Sequence, residues 1–467
     1  MTLLVEAPPA LEPERRYILD VVLADWLGLG WRLDVQERRD VRIALDGDDD
    51  GRCITLPDVL FATPAWLEAA SMPGASLDWR PVPEIAAGPL SPAQKLPMLY
   101  GTGGELIRVE PPAVELGVDV FGGCFFMLSR YEERVVAARD GYGRFPASAS
   151  IAQRNGFLGL PVADAYVELL WAALRHQWPR LERRPPEFRV ALTHDVDDPL
   201  ASLGRRPYER LQQLGADALV RRDPALMARR LRSWAEAGRG DHRFDPNNTF
   251  DFLMDVSERH GLVSAFYFLA TDGAMSAHDP AYTVEHPWIE ELMRRIHGRG
   301  HEIGFHAGFD TYLDPQRTRD EFDRLRRSAE RAGVRQDAWG GRQHYLRWDN
   351  PSTWSNWDRA GLAYDTTLAF ADRIGFRAGT CHEYQAFHLL ERRPLRLRER
   401  PFQAMDRTVF AYMGLSPDAA RDAILSVVAE CRRYRGILSL LWHNNALLTA
   451  REKRWYEQLV TAVSRPA

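Results

Sequence analysis

The stretch RVALTHDVD, residues 189–197, decides the fold. An apolar run ends abruptly in His194, Asp195 and Asp197, with Asp198 next in line. A strand buried on both faces reads as near-continuous apolar sequence, and its polar residues collect where it leaves the sheet. The pattern repeats downstream. SAFYFLA (264–270), HEIGFH (301–306), AYDTTLAF (363–370) and GILSLLWHNN (436–445) are further strand candidates. Amphipathic stretches with helix signals lie between them. TFDFLMDVSERHG and HPWIEELMRRIHGRG run into glycine stops, and Ser416 caps SPDAARDAILSVVAECRRYRG with proline at the first helical position. Such alternation predicts a parallel sheet wrapped by helices. About six or seven such units suit either an open doubly wound sheet or a distorted (β/α) barrel, and periodicity alone does not choose. Residues 199–245, Arg-rich and helical in pattern, read as an insertion.

Upstream, RLERRPPEF (180–188) reads as a linker, because charge and two prolines end a helical run. WRLDVQ and RIALDG predict short strands, and DAYVELLWAALRHQW an amphipathic helix. VFGGCFFMLSRYEER predicts a buried segment entering a helix. The expected division is a smaller α+β domain over 1–186 and an α/β domain over 187–467. The N-terminal domain is expected to stand apart from the chemistry.

Composition bounds the function. The chain has 467 residues, 45% of them hydrophobic and 27% charged, as in ordinary globular proteins. The net charge of -5 argues against a general nucleic-acid binder. All but two of the 60 basic residues are arginine (the lysines are Lys95 and Lys453), scattered over predicted helix faces. No run is apolar enough for a spanning helix, and the first residues lack a secretory pattern. Cys53, Cys124, Cys381 and Cys431 are widely separated, which suits a reducing cytoplasm better than a cysteine-built zinc site.

Three strand ends carry the candidate chemistry: Asp195 and Asp197, His306 with Asp310, and His443 with Asn444. Sites in parallel α/β folds form at this edge. Clustered carboxylates repel one another, so keeping them together points to a cation or a catalytic task. One aspartate with His306 and Asp310 can hold a divalent ion that leaves positions open for water and a carbonyl. A second aspartate can take a proton, and a histidine opposite can give one.

THDVD, HEIGFHAGFD and LSLLWH resemble the first, second and last motifs of the polysaccharide deacetylases, the NodB-type carbohydrate esterases. The resemblance covers about 188–467. It implies a distorted (β/α) barrel and metal-dependent hydrolysis of an acetyl ester or amide. It implies Asp195 as catalytic base and Asp197 as a metal ligand. His306 matches the first histidine of an H-x-x-x-H motif, and Asp310 stands where the family has the second. Arg342 in GGRQHYL matches the arginine that orients the base. Leu441 and His443 match the last motif, whose histidine is the general acid. Asp406 in PFQAMD is the candidate partner of that histidine, with Asp365 behind it. His344, beside the motif arginine, is the substitute ligand should Asp310 not serve. His301 lies five residues before His306, so in a strand it faces the other way and reads as structural. FFMLSRYEER, the GRF at 143–145, YDTTLAF and GFRAGT resemble the subset of that family with an extra N-terminal domain of unknown role.

The expected function is a cytoplasmic, metal-dependent hydrolase, zinc being the expected ion. It would remove an N- or O-linked acetyl group from a sugar of a bacterial surface glycan or its precursor. Alternatives are a C–N hydrolase of a small non-sugar amide and an inactive deacetylase-like protein that binds glycan or a partner.

Overall fold

The computed structural model describes residues 1–47, 50–184, 186–203, 207–273, 278–279 and 282–465. The strand β9 (Arg189–Val196) lies inside a curled nine-stranded sheet. Beside it run β10 (Ser264–Leu269), β11 (Glu302–Ala307), β12 (Gly340–Gln343), β13 (Tyr364–Asp365) and β15 (Arg393–Glu399). On its other flank lie β17 (Ile437–Leu441) and β16 (Ala404–Met405). All of these pair in parallel, and β14 (Tyr384–His388) closes the far edge antiparallel to β15. Every residue of β10 and β17 is buried. That is why their sequences carry no alternation.

The curl follows from one side chain. Three strand spacings separate β12 from β9, about 14 Å in a flat sheet. Yet Arg342 Nη1 on β12 donates to Asp195 Oδ1 on β9 at 2.7 Å, and Nη2 to Thr193 Oγ1 at 3.0 Å. The same guanidinium lies 4.4 Å from the ring of Phe402, which precedes β16 at the opposite edge. The sheet therefore wraps around Arg342. A Cβ at Gly341 would collide with the carbonyl of Phe305, so only glycine lets β12 approach β11 this closely.

The helices lie where the pattern placed them. Phe250–Arg259, Pro287–Gly298, Pro315–Arg331 and Pro417–Arg433 each connect successive strands. Ser416 accepts from Ala419 N as the cap of the last of these, with Pro417 following it. The Arg-rich insertion is helical over Pro207–Ala216 and Pro224–Ala237. No helix among the described residues is long and apolar enough to cross a membrane. All four cysteines are free.

The N-terminal part holds a mixed six-stranded sheet. It comprises β1 (Thr2–Ala7), β2 (Gly30–Val35), β3 (Asp40–Leu45), β4 (Cys53–Pro57), β7 (Ile107–Glu110) and β8 (Ala113–Leu116), in the order 2-1-3-4-8-7. A hairpin of β5 (Asp78–Pro81) and β6 (Lys95–Met98) flanks it. VFGGCFFML forms a wholly buried helix, and Val162–Gln177 the amphipathic one. One continuous apolar core joins this part to the curled sheet. Buried polar contacts cross the join. Arg377 meets Glu133 at 2.6 Å with both side chains 1% exposed, and Asn350 Nδ2 donates to the carbonyls of Ser129 and Arg130.

Candidate active site

Thr193, Asp195 and Asp197 alternate with outward residues, so all three face the interior of the curl, as i, i+2 spacing requires. His194 faces the other way. Its Nδ1 contacts the Trp442 carbonyl at 2.8 Å, and burial lowers its pKa to about 4. His301 is likewise structural and accepts from Ser264 N at 3.1 Å.

Asp195 is fixed by Arg342, whose Nε donates to the Thr366 carbonyl and whose Nη2 reaches Thr193 and Thr366. Every polar edge of this fully buried guanidinium is thus engaged, and the carboxylate it holds has one orientation.

Asp197, His306 and His344 converge. Their ligand atoms all lie within 4.8 Å of one another. His306 Nε2 stands 3.2 Å from Asp197 Oδ1, and His344 Nε2 stands 3.7 Å from it. Both histidines have the far nitrogen tied down. His306 Nδ1 donates to the Arg342 carbonyl at 2.8 Å, and His344 Nδ1 to Asp279 Oδ1 at 2.7 Å. Such bonds fix the ring and leave Nε2 for a metal. His306 Nε2 and Asp197 Oδ1 are buried without a hydrogen bond. Buried polar atoms left unpaired are costly, and a shared cation would satisfy both. Burial would raise the Asp197 carboxyl, but His306, His344 and His443 outweigh it and hold the group well below the usual carboxylate range. The donor set of one carboxylate and two imidazoles is that of a divalent transition-metal site. The fit is good.

The expected ligand set named Asp310 with Asp197 and His306. Asp310 is not with the cluster: it precedes a short helical turn, Thr311–Leu313, and its side chain is 61% exposed. It pairs at the surface with Arg347 at 3.1 Å. Glu321 accepts from Gly308 N and Asp279 from Phe309 N, and these bonds fix the chain just ahead of Asp310. His344, the substitute candidate, stands beside Asp197 and His306.

His443 faces Asp197 from the other side, Nε2 to Oδ2 at 3.6 Å. Its Nδ1 donates to Asp406 Oδ1 at 2.6 Å. Burial alone would lower the pKa of His443, but Asp406, with Asp197 and Asp195 behind it, raises it to about 9. Asp365, the reserve candidate for this pairing, lies on β13 and bonds Thr367 instead; burial raises its pKa to about 7.

These groups line a cleft of about 520 Å³. Its wall includes Tyr142 and Arg144 from the N-terminal part, which was expected to stand apart from the chemistry. Arg144 is 6% exposed. Its Nη1 donates to the Tyr345 carbonyl at 3.1 Å, its Nη2 to Tyr412 Oη at 3.3 Å and its Nε to Asp140 at 2.8 Å. Tyr345 and Leu346 both have left-handed backbone, φ 59 and 58, right after His344. Two such residues that are not glycine store strain, which persists only where the surroundings enforce it. Asp279, Tyr142 and Arg144 went unread because they sit in segments without periodicity, although GRF at 143–145 was conspicuous as sequence.

A family model described as "Family of unknown function (DUF7033)" matches residues 3–179. No curated protein matches the chain. Among solved structures, a "putative polysaccharide deacetylase from Mycobacterium smegmatis" is similar at 19% identity and TM-score 0.39, over 60% of this chain and 85% of that one. The Xyl-CE4 domain of a multidomain xylanase from the hindgut metagenome of Trinervitermes trinervoides is similar at 11% identity and TM-score 0.28, over 59% and 82%. Puue allantoinase is similar at 12% identity and TM-score 0.36, over 59% and 83%. These likenesses are distant.

Proposed function

We propose that this chain is a metal-dependent hydrolase, built on a distorted (β/α) barrel, that removes an acetyl group from a sugar of a glycan or glycan precursor. A cytoplasmic setting and zinc as the ion belong to the same reading. One observation carries it. A base held by an arginine (Asp195–Arg342) and an acid held by a carboxylate (His443–Asp406) flank the three-residue cation site in one cleft.

Asp197, His306 and His344 would hold the ion, which when bound makes water acidic near neutral pH and polarises a carbonyl. Asp195 takes the proton from the attacking water, and Arg342 keeps its carboxylate aimed. His443 begins protonated, because Asp406 favours the imidazolium, and gives its Nε2 proton to the departing amine or alkoxide. The burial of all four groups keeps their charges poorly screened. Positioned proton transfer of this kind contributes about 10²–10⁴-fold.

The test is acetate release from a panel of N- and O-acetylated sugars by the zinc-supplemented protein. Release should stop with a chelator and with Asp195→Asn. Release that survives Asp195→Asn would remove the assigned base and with it this reading.

A further inference from the structure

We propose that Arg144, which belongs to the N-terminal part, is a positioning residue for His344: it holds the peptide that follows this histidine, a role that rests on reading Asp197, His306 and His344 as the cation site. The site then depends on the turn 140–145, and residues 1–186 have a part in it.

The turn is built from its own sequence, DGYGRF. Asp140 Oδ1 accepts from Tyr142 N and Arg144 N, and its Oδ2 accepts from Arg144 Nε at 2.8 Å. The backbone closes the same loop: Asp140 N donates to the Arg144 carbonyl, and Gly143 N to the Asp140 carbonyl. Gly143 has φ +78, where glycine fits without strain. The bond to Asp140 thus aims the guanidinium, and its other two nitrogens reach the C-terminal part. Nη1 donates to the Tyr345 carbonyl at 3.1 Å and Nη2 to Tyr412 Oη at 3.3 Å. The rings of Tyr142 and Tyr412 lie 4.8 and 5.6 Å from the guanidinium carbon. Arg144 is buried, so water competes little for these bonds.

The Tyr345 peptide needs such a hold. The chain leaves His344 through the two left-handed residues Tyr345 and Leu346, a conformation that side chains with a Cβ disfavour. The bond the turn makes for itself, Arg347 N to the His344 carbonyl, is long at 3.3 Å. His344 is therefore held at three points. Before it, β12 pairs with β11; at Nδ1 it meets Asp279; after it, Arg144 binds the peptide. Without Arg144 the strained peptide relaxes, the direction of the His344 side chain changes, and Nε2 moves off Asp197 and His306.

Zinc affinity of the full chain, by competition with a chromophoric chelator, and the visible spectrum of the cobalt-substituted chain read the position of His344 without turnover. Arg144→Ala should weaken zinc roughly tenfold or more and alter the cobalt bands. Arg144→Lys, which can still donate to the Tyr345 carbonyl, should recover part of the loss. Arg392→Ala removes a different contact between the two parts, the pair with Glu14, and should leave both readouts unchanged. If Arg144→Ala does not fold, Asp140→Asn, which weakens the anchor of the guanidinium, decides by the same readouts. Wild-type affinity and cobalt spectrum in the Arg144 variant, or an equal loss in Arg392→Ala, overturns the positioning role and leaves the metal site standing. A wild type that takes up neither ion overturns the metal site, and the positioning role with it.

Discussion

At Asp195 and Asp197, two like residues two positions apart have opposite neighbours. Asp195 meets a guanidinium at 2.7 Å and His306 at 3.7 Å, whereas Asp197 meets three imidazoles and no guanidinium. Asp195→Asn should therefore abolish turnover yet keep bound metal, whereas Asp197→Asn should lose both; metal content of the purified variants checks this. Equal metal loss in the two would overturn the assignment. His443→Ala should keep metal and melting temperature near wild type while kcat falls at least roughly a hundredfold. The pH profile follows from Asp406. Activity needs His443 protonated, so it falls as pH rises through the His443 pKa. Asp406→Asn removes the charge that raises this pKa while burial, which lowers it, remains. The basic limb of kcat/KM should shift to lower pH in that variant, and an unmoved limb would free His443 of the general-acid role.

The strands explain why much of the site was legible and part was not. A buried parallel strand is an apolar run with a polar end, so Asp195, Asp197, His306 and His443 could be read from β9, β11 and β17 alone. Arg342 and Asp406 needed the motif resemblance, because β12 and β16 are short and weakly patterned. The expectation of Asp310 rested on spacing along the chain, H-x-x-x-D, which does not fix position in space. The chain leaves β11 through a tight turn that carries Asp310 to the surface, while the next strand delivers His344 to the same edge as His306. Asp279 lies on no regular element, so nothing in the pattern could mark it as the partner of His344. Asp279→Ala should loosen His344 and weaken zinc affinity by roughly 10–100-fold, as loss of such supporting bonds typically does. Competition with a chromophoric chelator reads this directly, and unchanged affinity would leave Asp279 a merely structural role.

Over the whole molecule, the apolar core and the buried pair Arg377–Glu133 tie residues 1–186 to the curled sheet. The sequence division at the Pro-rich linker remains a reasonable boundary in the chain, but not one in the packing. A fragment of 187–467 would lose Glu133, the acid that pairs with Arg377 across the join. Much apolar surface facing the N-terminal part would be exposed as well. The fragment should be insoluble or unfolded by circular dichroism. A soluble, cooperatively melting fragment that binds zinc would show that the two parts are independent.

Zinc stoichiometry and affinity, compared between His344→Ala and Asp310→Ala, test the central claim most directly. The account predicts one zinc per chain in the wild type. It predicts the same, with stability within about 0.5 kcal/mol, in Asp310→Ala, because that side chain is exposed. His344→Ala should lose the ion. Zinc retained in His344→Ala and lost in Asp310→Ala would contradict the cation site formed by Asp197, His306 and His344.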